Sequence, residues 1–160
     1  IERDPSEKEN LINNNAGVAD VLRKELDNYF WDLISSPNLT DPQRIVIGNE
    51  SENPVFLNRN DADGDRGIWT QEEVFGKWRV KIGEGTYNIR CHFLDTLQPG
   101  GQMIIETGTF INQKRNSQEG LTVLVMNNIK YPAIECDFIP FYQSGSKRLL
   151  PLYIEVGRTK

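Results

Sequence analysis

The spacing of apolar residues changes once along the chain, and the change divides it in two. Near the start, Val18, Val21, Leu22, Leu26, Tyr29, Phe30 and Leu33 recur every three or four residues. That interval puts them on one stripe of an α-helix, predicted over 17–34. Ser35-Ser36-Pro37 ends it, because proline cannot donate to the helical ladder. Upstream, Asp4-Pro5-Ser6-Glu7 has turn or helix-start chemistry. Proline's fixed φ suits a first turn, and Asp or Ser can accept from free N–H groups. The polar run Asn13-Asn14-Asn15-Ala16-Gly17 separates this start from the helix.

From about residue 42 the period becomes two. Residues 44–47 and 54–57 read as short strands. Trp78, Val80 and Ile82 share one face of the next strand, and Tyr87, Ile89, Cys91 and Phe93 share one face of its successor. Gly83-Glu84-Gly85 and Pro99-Gly100-Gly101 supply turns, since glycine accepts positive φ without steric cost. Further strands are predicted at 103–107, 109–113, 121–126, 133–139 and 149–157. Short strands without intervening helices predict a mainly β fold: an antiparallel β-sandwich, jelly-roll-like, preceded by an amphipathic helical arm. The expected division is a helical arm over 1–40 and a sandwich over 41–160.

Composition narrows the function classes. The chain has 160 residues, 38% hydrophobic and 26% charged, with a formal net charge of −5. This balance supports a packed core. The acidic charge, without a Lys/Arg cluster, argues against a nucleic-acid partner. No apolar run reaches the roughly 20 residues of a membrane span.

The stretch Asp4-Pro5-Ser6-Glu7-Lys8-Glu9-Asn10-Leu11 resembles the C-terminal signature of bacterial sulfatases of the arylsulfatase family. In that signature, Asp-Pro-x-Glu-x-x-Asn-Leu leads into an amphipathic helix. Asp4, Pro5, Glu7, Asn10 and Leu11 match it, and Leu22, Leu26 and Trp31 follow on the helix. Asn53 to Asp61, Gly67-Ile68-Trp69, residues 76–80 and residues 85–89 are similar to a β-domain appended to some of these enzymes. The resemblance implies that residues 1–40 are the helical tail of a sulfatase domain and that 41–160 is an accessory domain. The whole enzyme would hydrolyse sulfate esters, in the periplasm or outside the cell. It would use calcium and a formylglycine made from Cys or Ser in Cys/Ser-x-Pro-x-Arg. Neither Cys91 nor Cys136 lies in such a motif, so this region is expected to be inactive alone. Its implied partners are the catalytic domain of the same chain and a sulfated glycan.

The residues themselves offer few chemical candidates. Both cysteines fall in the apolar phase of strands, where a buried thiol is inert; a disulfide between them depends on geometry. His92, the single histidine, has no nucleophile in its pattern and reads as a surface or interface residue. Asp61, Asp63 and Asp65 alternate on a short loop, and Glu72 stands twelfth counting from Asp61. Crowded hard oxygen donors suit calcium. The glycines do not fall at the sixth place of an EF-hand loop, and the same residues also make an acidic β-turn. Arg66 and Trp69 are candidates for a sugar-binding surface, because aromatic faces stack on pyranoses and guanidinium groups fit sulfate or carboxylate. Trp78 shares the phase of Val80 and Ile82, which assigns it to the core. Three roles follow: an accessory part of a sulfatase, a carbohydrate-binding module, or an oligomerisation domain.

Overall fold

A computed structural model describes residues 4–6, 8–64 and 73–159, apart from the side chain of Thr40. The fold is mainly β, a sandwich of two sheets with a helix near the N-terminus. The chain divides into two compact units, Ile1–Gln43 and Arg44–Lys160.

In the first unit, helix α1 spans Ala16–Ile34, one residue longer at its start than the apolar spacing indicates. Asn15 precedes it without a side-chain cap; its amide instead donates to the Leu11 carbonyl at 3.3 Å. At the far end, the Ser35 N–H returns to the Trp31 carbonyl and its hydroxyl donates to that of Asp32 at 2.7 Å. Pro37 closes α1 and also opens a one-turn helix, α2, Pro37–Thr40. Proline fits there because a first-turn N–H has no intrahelical acceptor.

The second unit holds eleven strands among the described residues. They are β1 Ile45–Ile47, β2 Val55–Asn58, β3 Asp63–Gly64, β4 Gly76–Ile82, β5 Gly85–His92, β6 Gln102–Thr107, β7 Phe110–Arg115, β8 Val123–Tyr131, β9 Ile134–Ser144, β10 Lys147–Leu149 and β11 Tyr153–Arg158. One sheet has the order β1-β4-β9-β6-β7, with β10 against β9 and β3 against β4; the other is β2-β11-β5-β8. The pairings are antiparallel except that of β1 with β4, which is parallel. At one edge, β7 exposes Lys114 and Arg115, and such charges discourage pairing with another chain.

Inward phases from both sheets merge into one core. Ile47, Trp78, Val80, Ile82, Met103, Ile105 and Phe138 come from the first sheet, and Val55, Leu57, Tyr87, Ile89, Cys91, Leu124 and Ile154 from the second. Trp78 is fully buried, as its phase requires. Between β5 and β8 the register slips at Asn88. There Asn128 takes a positive φ of 59°, a conformation asparagine tolerates, and its N–H donates to Asn88 Oδ1 at 3.1 Å.

The single strand expected over 149–157 is two strands in different sheets. β10 pairs with β9, while β11 pairs with β2 and β5. Pro151 has no N–H for a ladder, so the chain crosses between the sheets at that point. The crossing leaves carbonyls inside the protein, and Arg59 meets them. Arg59 is 2% exposed; its Nε donates to the Pro151 carbonyl at 3.0 Å and its Nη2 to that of Leu150 at 2.6 Å.

Candidate functional site

The residues at the start of the chain form a local turn. Asp4 Oδ2 accepts from the Glu9 N–H at 2.7 Å, and Asn10 Oδ1 from the Ile12 N–H at 3.1 Å. The Leu11 carbonyl accepts from the N–H groups of Asn14 and Asn15, both at 3.1 Å. Asp4 and Asn10 therefore organise the approach to α1. The helix itself buries none of its residues. Leu22, Leu26 and Trp31 are 64%, 66% and 65% exposed, a concentration of apolar surface unusual for a free helix in water.

Of the acidic loop, Asp61 ends a 3-10 turn, Arg59–Asp61, and Asp63 lies in β3, opposite Lys77. Both are exposed. Asp65, Arg66, Trp69 and Glu72 lie outside the described residues. Among the described residues, no three of His, Cys, Asp and Glu gather closely enough to hold a metal ion. The backbone around the start of the loop is closely packed: a Cβ on Gly64 would run into the Phe75 carbonyl.

Both cysteines are free thiols. Cys91 is buried in β5 between Leu124 and Ile154 of the neighbouring strands. Burial pushes its pKa far up, so the nucleophilic thiolate is suppressed. Cys136, in the other sheet, is only half-buried, a departure from the full burial its phase suggests. Its pKa is raised by burial and then by the neighbouring Asp137 carboxylate.

His92 sits on the outward face of β5, largely covered. Its ring stacks on Tyr153 with centroids 4.1 Å apart and planes at 12°. Nε2 is 2.7 Å from Glu155 Oε1, yet it makes no hydrogen bond among the described residues. The atoms are close without meeting the angular requirement of such a bond. Tyr153 also faces Phe56, with centroids 6.4 Å apart. Nothing resembling a nucleophile–base pair accompanies His92 among the described residues.

On the opposite sheet, ion pairs cross β4 and β9. Lys77 meets Asp137 at 2.6 Å, Lys81 meets Glu135 at 2.9 Å, and Arg44 adds a second cation to Glu135 at 3.4 Å. The Lys81 hydrogen bond, followed by its charge, holds Glu135 below the usual carboxylate range. Nearby, Arg148 lies over the Phe141 ring, 4.5 Å from its centroid, beside a cleft of about 340 Å³ lined in part by Phe75, Pro140 and Lys147.

The outward group Phe56, Arg90, Tyr153 and Glu155 has no local motif in the sequence. One signal was available: Phe56 occupies the solvent phase of β2 between two buried residues, Val55 and Leu57. An aromatic ring in that phase is not explained by the core.

Fold and surface together define a two-sheet β-sandwich protein with an N-terminal helical unit. No protein-family model matches the chain, and no curated protein is significantly similar to it.

Proposed function

We propose that the chain is the C-terminal accessory region of a sulfatase-family enzyme. Residues 1–40 complete the catalytic domain, and the sandwich is appended to it without chemistry of its own. The observation that supports this reading best is α1. A helix of nineteen residues with an apolar stripe and no buried residue gains little stability alone, because most helix stability in proteins comes from packing that stripe. The turn set by Asp4, Asn10 and Leu11 delivers the chain to this helix in the order the sulfatase signature has. The calcium and formylglycine of such an enzyme would belong to the catalytic domain. The buried Cys91, and His92 packed against Tyr153 and Glu155, fit a non-catalytic role here.

The deciding observation is the sequence encoded upstream of Ile1. A Leu-Tyr-Asp lead-in and a Cys/Ser-x-Pro-x-Arg motif are expected; a different upstream sequence overturns the reading. Hydrolysis of a chromogenic aryl sulfate by the purified 160-residue chain would equally overturn it.

A further inference from the structure

Alternation along β9 sends Phe138 and Tyr142 into the core, so Ile139 and Phe141 belong to the outward face of the first sheet. Ile104 of β6 stands opposite Phe141 and extends that apolar patch. The turn from β9 into β10 passes through Gly145, with a φ of 60°, and brings Arg148 back beside Gln143. The Arg148 guanidinium lies over the Phe141 ring, which is only 7% exposed in spite of its outward phase. Beside this pair the surface opens into the cleft of about 340 Å³, with Val74, Phe75, Ile139 and Pro140 as apolar walls. Phe75 keeps 48% of its surface exposed. A cleft of this volume is at the small end of ligand pockets and takes one ring with a short chain.

The charged groups that line the cleft differ in how far they are engaged. Lys147 pairs with Glu73, so those two charges offset each other. Arg148 donates from Nε to Gln143 Oε1 at 3.3 Å. Its Nη1 and Nη2 make no hydrogen bond or ion pair among the described residues. Stacking uses the face of a guanidinium and leaves its N–H edge for a carboxylate. Glu106, opposite Ile139 on β6, lies outside the cleft. Among the described lining residues, one cation is therefore left uncompensated against apolar walls.

We propose that this cleft binds an apolar monocarboxylic acid with about one ring. The ring lies against Phe75 and Ile139, and the carboxylate takes two N–H donors from Arg148. A neutral ring gains only the walls, and a small hydrophilic anion gains only the guanidinium. Affinity thus requires both halves in one molecule. Every residue of the cleft belongs to the sandwich unit, so the upstream sequence that decides the sulfatase reading has no bearing on it.

The test is a titration of the isotope-labelled 160-residue chain, followed by its amide resonances, with 3-phenylpropanoate, its neutral amide 3-phenylpropanamide, and acetate. The phenylpropanoate is expected to bind about tenfold or more tightly than either comparison ligand, and to shift the resonances of Ile139, Phe141 and Arg148. Arg148→Gln should lower its affinity about tenfold, to that of the amide, while the affinity of the amide itself stays unchanged and shows the cleft intact. Arg148→Lys, which keeps the charge without the fork, should fall between. Phe75→Ala, at a half-exposed ring, should weaken the acid and the amide alike at an unchanged melting temperature. No binding of the acid at millimolar concentration, equal binding of the amide or of acetate, shifts centred away from the cleft, or undiminished binding by Arg148→Gln would each overturn the proposal.

Discussion

The indole of Trp78 donates to the carbonyl of Asn58 at 2.7 Å. Trp78 belongs to the first sheet and Asn58 ends a strand of the second, so this bond ties the two layers through the core. Trp78→Phe should cost about 1–3 kcal/mol, since it removes the donor from a partly buried acceptor. Trp78→Ala should cost about 3–5 kcal/mol through the added cavity. Urea unfolding at constant m checks both. No loss on Trp78→Phe would show that packing alone accounts for the residue.

Arg59 secures the crossing at Pro151. Arg59→Met keeps much of the volume but leaves the Leu150 and Pro151 carbonyls without its N–H groups, and a cost of about 3 kcal/mol is expected. Arg59→Lys should recover part of it, because an ammonium reaches one carbonyl without matching the fork. Thermal melts of the two variants decide the order.

Gly48 has a φ of 94°, and a Cβ there would collide with the Tyr87 hydroxyl, which itself donates to the Gly83 carbonyl at 2.6 Å. Gly48→Ala should therefore exceed the loss of about 1–3 kcal/mol that strained backbone alone imposes. Gly100→Ala provides the comparison, with a φ of 86° and nothing within 4 Å of a Cβ. Similar melting temperatures for the two variants would remove the steric part of this account.

Alkaline pH should destabilise the sandwich through its thiols. Burial raises the folded-state pKa of Cys91 above its unfolded value. Its contribution is thus complete below the unfolded thiol pKa of about 8.5 and declines as pH rises, because only the unfolded chain then loses the proton. The slope for one thiol approaches about 1.4 kcal/mol per pH unit. Cys136 is shifted the same way. Tyr131, raised chiefly by burial, joins in only above about pH 10. In urea titrations between pH 8 and 10, Cys91→Val with Cys136→Ala should show a flatter decline than the parent. An unchanged slope would assign the alkaline loss to other groups.

The amino-acid pattern by itself determined the helix, most of the strands and their inward faces. Period-two runs put Trp78, Val80, Ile82, Ile89 and Cys91 inside, since alternate side chains of a strand must share a face. Period 3.6 placed α1, and Ser35-Ser36-Pro37 its end. Three features had no local signature. The parallel pairing of β1 with β4, the transfer of the chain between sheets at Pro151 and the burial of Arg59 all depend on groups far apart in sequence: Arg59 meets a carbonyl 92 residues away. The candidate sites divide in the same way. Asp61 and Asp63 stand out as candidates in the sequence only because their spacing is local. The cleft beside Arg148 does not, because β9, β10 and the residues before β4 each contribute to it, and only the pairing of β4 and β10 with β9 brings them together.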